Sequence, residues 1–272
     1  MNTTHTTIAE YVDHMGSDLT VINAARASFG RESKWAFNSP VQRERRLTDN
    51  DANLIRFLAT GYRSGEWHDF LDEVIRVALR CHFSPGEGHP RGELTDLLHS
   101  YKRKAQHWAP FGHPHVQIRV SMPIFLARQF VKHQVGGVWS EESRRYISGE
   151  PGIYIPDEWH TRPADIKQGS GDAVQNQNLV NTIANNAAQT SVNAYQMMLS
   201  EGVAPEEARA VLPLNMMTTV VWTGSLLFWS RVVTQRVDSH AQLAAQELAK
   251  QISAIVAPLF PVSWKELTGR TV

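Results

Sequence analysis

Val116-Gln117-Ile118-Arg119-Val120-Ser121-Met122 runs straight into Pro123-Ile124-Phe125-Leu126-Ala127-Arg128-Gln129-Phe130-Val131-Lys132-His133-Gln134. In the first half, Val116, Ile118, Val120 and Met122 alternate with Gln117, Arg119 and Ser121, the period of a half-buried strand. Pro123 suits a first helical position, where no N–H is needed. The spacing then predicts a helix over Ile124 to Gln134, ended by Gly136-Gly137. A second β-branched run, Met217 to Trp222, predicts another strand, followed by a helix over Ser225 to Val233. Further helices are predicted over Thr48 to Ala59 (Leu54, Ile55 and Leu58 inward), His68 to Leu79 and Glu93 to Arg103. Asp172 to Glu201 contains no Gly or Pro. It predicts a long helix with Val180, Ile183, Ala184, Ala187, Ser191, Tyr195 and Met198 on its apolar face. Pro205 opens another helix, with Glu206 and Glu207 suited to its dipole, and Pro213 closes it. Ser239 to Val256 predicts a last helix, with Ala241, Ala245, Leu248, Ile252 and Ile255 inward. Ser84 to Gly92 is rich in breakers and reads as a loop. Without the regular alternation of a doubly wound sheet, the order predicts an α+β fold, a small sheet packed with several long helices.

The 272-residue chain balances 27 Lys+Arg against 27 Asp+Glu. A neutral chain does not suit a nucleic-acid coat or a membrane-surface protein, so neither partner is expected. A single cysteine, Cys81, excludes a disulfide framework and a thiolate zinc cluster. Met1 to Gly16 has no basic segment followed by an apolar one, and no apolar run approaches the ~18 residues of a membrane span. The expected location is the cytoplasm.

Gln129, Lys132 and His133, at i, i+3 and i+4, share a face if the helix reaches Gln134. Beyond them, Ser140-Glu141-Glu142-Ser143-Arg144-Arg145-Tyr146 is densely polar. Paired arginines suit a phosphate or carboxylate, and a solvated surface explains the same run. In Gln235-Arg236-Val237-Asp238-Ser239-His240-Ala241-Gln242, Asp238 or Ser239 is placed to cap the last helix. Arg236 would then lie beside a helix N-terminus, where anions bind; a well-capped corner is the plainer reading. Asp238, Ser239 and His240 contain the residue types of a hydrolase triad, but triad partners are rarely sequence neighbours. Neither a dinucleotide fingerprint nor a P-loop occurs. His113-Pro114-His115 lacks further ligands at metal spacing, so no metal is expected. Cys81 sits on an amphipathic helix and reads as packing. From the residues alone, the chain is an anion-binding α+β enzyme candidate.

Taken in order, these segments resemble the flavin-dependent thymidylate synthase family. The match begins at Met15-Gly16-Ser17-Asp18-Leu19 and Ala24-Ala25-Arg26-Ala27-Ser28-Phe29. It continues through His107-Trp108-Ala109-Pro110-Phe111-Gly112-His113, similar to the family's H-x-[ST]-P-F-E-H, and Met122 to Gln129. Glu141, Ser143, Arg145 and Tyr146 fit the end of N-E-x-S-x-R-Y. Ala208-Arg209-Ala210-Val211-Leu212-Pro213-Leu214-Asn215 and Arg236 to Gln242 complete it. The chain departs from the family at Lys132-His133-Gln134, which stands for R-H-R, and at Ser143, which arrives one residue late. Ser225-Leu226-Leu227 and Arg231 stand where members often show N-x-R-S and a later Asn.

The resemblance implies methylation of dUMP to dTMP, with methylenetetrahydrofolate as carbon donor, FAD as cofactor and NADPH as electron source. It implies a homotetramer with shared active sites, and one catalytic domain over 1–272 with an insertion at about 60–106. By the same resemblance, Gln129, Glu141, Glu142, Ser143, Arg144, Arg145, Arg209 and Arg236 would bind the nucleotide, with Arg236 and Ser143 catalytic. Ser28, His107, Lys132, His133, Gln134, Ser225 and Arg231 would hold FAD, and Trp108, Trp139 and Tyr146 are candidates to stack on flavin or folate. Alternatives are a pyrimidine nucleotide hydroxymethylase, a non-catalytic flavin- or nucleotide-binding relative, and a helical interaction module.

Overall fold

The computed structural model of the chain describes residues 2–37, 44–83, 91–102, 106–163 and 169–269. In chain order its elements are β1 (Asn2–Thr4), β2 (Ile8–Met15), α1 (Asp18–Ala27), β3 (Ala36–Phe37), β4 (Arg45–Arg46), α2 (Asp49–Thr60), α3 (Ser64–Phe83), α4 (Arg91–Lys102), β5 (His115–Pro123), α5 (Ile124–Phe130), β6 (Gly137–Glu141), β7 (Gly152–Tyr154), α6 (Gln177–Ser200), α7 (Pro205–Ala208), β8 (Met217–Ser225), α8 (Leu226–Arg236), α9 (Leu243–Val256) and α10 (Pro261–Thr268). The class is α+β, as the sequence predicts. Contacts divide the chain into two compact units, residues 1–15 with 115–256 and residues 16–114 with 257–272.

In the first unit, β2, β5, β8 and β6 form an antiparallel sheet in that order. The alternation read in the sequence is obeyed throughout β5: Val116, Ile118, Val120 and Met122 are all fully buried. Burying four such side chains contributes roughly 1.5–3 kcal/mol each, which fixes the register. Trp222 on β8 meets Trp229 and Phe228 of α8 edge to face, at 4.9 and 5.2 Å between ring centroids. Trp229 Nε1 donates to the Val116 carbonyl at 3.0 Å, so the indole buries without an orphaned donor.

The helix expected to reach Gln134 ends at Phe130 instead. The chain has to turn back so that β6 can pair with β8. Gly136, at φ +87°, takes the left-handed conformation that this return requires. Lys132 and His133 therefore sit in a turn rather than on the α5 face they were expected to share with Gln129. The long helix starts later than predicted, at Gln177, where the Asn176 side chain accepts from the Leu179 N–H at 3.0 Å. Its buried face is Ala188, Val192 and Tyr195, rotated from the expected stripe, so Ile183 and Leu179 point outward at 59% and 53% exposure. α9 also begins late, at Leu243, with Ala245, Leu248 and Ile252 buried as expected.

In the second unit, Thr48 caps α2 by accepting from the Asp51 N–H at 3.2 Å. The Asp51 carboxylate, 3% exposed, takes bonds from Arg26 at 2.7 Å and from the Ser33 and Thr48 hydroxyls at 2.8 Å. Burial alone would raise its pKa, but those donors outweigh it and hold it low. α3 is longer than its prediction, and Cys81 falls within it. Tyr62, Trp67, Phe70 and Tyr101 cluster where α3 and α4 meet. Residues 84–90 of the expected loop lie outside the described residues, as does Arg103. Among the described residues, no helix is long and apolar enough to cross a membrane.

Candidate active site

The first unit carries a cleft of about 650 Å³ between α5, the end of β6, the turn after α7 and the start of β8. Glu141, Glu142, Ser143, Arg144, Arg145 and Arg209 all line it. The strand β6 ends at Glu141, and Glu142 prolongs the ladder by donating its N–H to the Thr219 carbonyl at 2.9 Å. The chain then turns, so successive polar side chains are delivered to the same opening. Arg145 Nε donates to Ser143 Oγ at 3.1 Å, and Arg144 reaches the Gly149 carbonyl. Opposite them, Ala208 is fully buried and anchors the turn that presents Arg209, whose Nε donates to the Glu206 carbonyl at 3.1 Å.

Two participants escaped the sequence reading. Arg128 lines the same cleft from the last turn of α5, one helical turn beyond Ile124, which also lines it. Its signal was available: it is the charged residue among Leu126, Ala127 and Phe130, which are buried. Thr218 lines the cleft and donates to Glu141 at 2.9 Å, while Trp139 Nε1 donates to the other oxygen at 3.1 Å. The opening thus presents four arginines against two glutamates, a balance that suits a dianion.

Arg236 and Gln129 do not line this cleft; they meet beside it. Arg236 ends α8, a C-terminal position favoured by the dipole, and α9 begins only at Leu243. The expected placement of Arg236 beside a helix N-terminus is corrected accordingly, and Asp238 pairs with His240 at 2.8 Å rather than capping α9. Arg236 Nη2 donates to the Gln129 carbonyl at 2.8 Å and its Nε to His133 Nε2 at 2.9 Å. Its guanidinium lies over the Phe130 ring, 5.6 Å from the centroid. Because Arg128 and Gln129 are sequence neighbours, the last turn of α5 both lines the cleft and holds Arg236. The Gln129 side chain donates to Gln242 at 2.7 Å. Burial, with the charge of Arg236 adding to it, brings His133 down to about 4, so the ring is neutral near pH 7.

The residues expected to hold FAD separate between the units. Ser28 and His107 line a cleft of about 1040 Å³ in the second unit, with Arg26, Arg31, Phe29 and Trp108. Phe29 and Trp108 are 78% and 60% exposed there, and Arg26 Nε is buried without a partner. Exposed rings, the Arg31 cation and an unsatisfied Arg26 donor suit a flavin nucleotide. Lys132, His133, Gln134, Ser225 and Arg231 belong to the first unit. Lys132, Gln134 and Arg231 are exposed. Ser225 is buried as the cap of α8, its hydroxyl accepting from the Phe228 N–H at 3.2 Å. Of the stacking candidates, Trp139 packs edge-on to Trp222, and Tyr146 lies under Arg145. Among the described residues, no three potential ligands gather for a metal ion.

The family model for thymidylate synthase complementing protein, Thy1, matches residues 10–262. The flavin-dependent thymidylate synthase of Kosmotoga olearia is 32% identical over 200 residues, spanning 72% of this chain and 86% of that protein. This chain is an enzyme of the flavin-dependent thymidylate synthase family. The family's synthase from Thermus thermophilus is 30% identical over 193 residues, covering 71% of this chain and 70% of its own. The fold is also that of a solved UMP/dUMP methylase, PolB from Streptomyces cacaoi, bound with 5-Br dUMP. The superposition has a TM-score of 0.70 at 22% identity and covers 99% of this chain and 97% of that one. The resemblance read from the motifs is thus established at the level of family, over both compact units.

Proposed function

We propose that this enzyme methylates dUMP to dTMP, with methylenetetrahydrofolate as carbon donor, FAD as cofactor and NADPH as electron source. The observation that carries the reading is the convergence of Glu141, Glu142, Ser143, Arg144, Arg145 and Arg209 on one cleft, joined by Arg128. The arginines neutralise the nucleotide phosphate, and their planar forks match its oxygens. Ser143 adds a neutral donor beside Arg145. Glu141, held by Thr218 and Trp139, keeps lone pairs free for hydroxyl or imide donors of the nucleotide. Arg236 polarises a carbonyl of the pyrimidine and stabilises the negative charge that develops as the ring reacts at carbon.

Ser28, His107, Arg26 and Arg31 are the residues of the second unit that would hold the flavin, and Lys132, His133, Gln134, Ser225 and Arg231 those of the first. When bound, the flavin supplies the two-electron carrier that the transferred carbon needs to become a methyl group. Lys132 keeps a charge but loses the planar fork of an arginine, and Gln134 keeps neither.

We further propose a homotetramer with shared sites, in which 1–272 serves as one catalytic domain with 60–106 as an addition. Outward-facing Leu179, Ile183 and Met197 on α6 and Tyr11 and Met15 on β2 support association, since such apolar surface is costly in water. The test is product analysis with dUMP, methylenetetrahydrofolate, FAD and NADPH. Formation of dTMP supports the reading; 5-hydroxymethyl-dUMP, or unchanged dUMP with a folded and flavin-loaded protein, contradicts it.

A further inference from the structure

Arg236 is oriented entirely by neutral groups. Its Nε donates to an imidazole nitrogen, its Nη2 to a backbone carbonyl, and its face rests on the Phe130 ring. Phe130 is itself braced edge-on by Trp222, 6.0 Å away at 90°. Among the described residues no ion pair involves Arg236, and Asp238, two residues on, is occupied by His240. A carboxylate in place of His133 would orient the guanidinium equally well but would cancel its charge. A neutral acceptor fixes the direction and leaves the charge for a ligand. Of the five N–H donors on a guanidinium, the two acceptors occupy two, so three remain for a pyrimidine edge.

The bond also fixes the state of the imidazole. Arginine is always a donor, so His133 Nε2 must accept and the ring proton must sit on Nδ1. We propose that His133 is a positioning residue: as the neutral Nδ1–H tautomer it aims Arg236 at the pyrimidine without neutralising it. This rests on the reading of the neighbouring cleft as the dUMP site. Protonation of His133 would turn Nε2 into a second donor facing Nε and set two cations against each other. Arg236, from α8, is the charged group that acts on His133. On its own segment the next charges are the exposed Lys132 and Arg128, and the aromatic neighbour Phe130 does not titrate.

The test combines turnover with a readout of the pair itself. His133→Phe removes the acceptor and keeps a planar ring, while His133→Gln restores a neutral acceptor. Misdirecting Arg236 by about an ångström should lower kcat on the order of 10²-fold in His133→Phe. The dUMP Kd, set mainly by the phosphate cleft, should change far less than kcat, and His133→Gln should recover most of kcat. At saturating FAD, which removes any effect of His133 on flavin affinity, His133→Phe in an Arg236→Ala background should cost nothing further. An equal cost in that background would overturn the proposal, because His133 would then act without Arg236. The readout that needs no reaction is 15N NMR of the histidines. His133 should show an unprotonated Nε2 and titrate near 4, moving upward in Arg236→Ala. Titration of wild-type His133 near the ordinary 6.5 would overturn the pairing. A wild-type protein with the expected tautomer that makes no dTMP would overturn the methylation reading and leave the pairing supported.

Discussion

Thr218 on β8 and Glu141 at the end of β6 are joined across the sheet by a 2.9 Å hydrogen bond, with Thr218 Oγ1 donating to Glu141 Oε1. Thr218 is 5% exposed, so this bond turns a strand position into a fixed wall of the cleft. With Trp139 on the other oxygen, the carboxylate is kept from folding onto the arginines it faces.

Thr218→Val keeps the shape and removes the donor. The freed carboxylate should then turn toward an arginine and compete with the nucleotide phosphate. We expect the dUMP Kd to rise on the order of tenfold, the size of one charge-assisted bond. Stability should fall by about 1 kcal/mol or less, because Glu141 remains solvated. Calorimetric titration and a melting curve measure both; an unchanged Kd would remove Glu141 from the site.

Arg128→Ala and Arg209→Ala should each weaken dUMP binding by roughly 10–100-fold. Binding of deoxyuridine, which lacks the phosphate, should change by less than about twofold. Both side chains are exposed, so melting temperatures should hold within the scatter of surface substitutions. Equal losses for nucleotide and nucleoside would place the phosphate elsewhere.

His133 gives the protein an acid-sensitive element. Its folded value of about 4 lies below the ordinary 6.5, so the unfolded chain takes up this proton first as pH falls. The contribution is fully present above about pH 6.5 and is lost as pH drops toward 4. Wild type should therefore lose more melting temperature between pH 7.5 and pH 4.5 than His133→Gln does. Parallel curves would mean that the ring titrates as if free.

Gly224→Ala should destabilise strongly. A Cβ there would come 2.1 Å from Phe228 Cδ1. The Phe228 ring cannot swing aside, being packed at 5.2 Å on Trp222 and 5.1 Å on Trp229. Overpacking of this kind costs about 1–3 kcal/mol or more. Gly112→Ala, where nothing lies within 4 Å of the added atom, is the control and should melt like wild type. Matching melting temperatures for the two variants would contradict the packing described for β8.

The sequence was most readable where one face is fully buried. β5 declared itself by alternation because Val116, Ile118, Val120 and Met122 have one side to hide. β2 did not, because Ile8–Met15 is an edge strand, exposed along most of its length and bulged between Tyr11 and Asp13. β6 was hidden for a related reason: Gly137–Glu141 is an edge strand whose polar end serves the cleft, so its residues follow chemistry rather than burial. α5 was overextended because Val131 continues the apolar run; the constraint that stops it, the return of β6 onto β8, is tertiary. In the site, the polar run 141–145 was legible as charge and Arg209 only through the family resemblance, and they converge on one cleft. The contacts of Arg236 with His133 and of Glu141 with Thr218 were not, since they join residues about a hundred and about eighty positions apart.

The central claim is most directly tested by the fate of the donor's methylene carbon. Purified protein supplied with FAD, NADPH, dUMP and methylenetetrahydrofolate labelled in its methylene carbon should yield dTMP carrying the label in its methyl group. That product should fall at least ~10²-fold in Arg236→Ala. Unlabelled dUMP recovered from a folded, flavin-loaded enzyme, or label found only in a 5-hydroxymethyl nucleotide, would contradict the account.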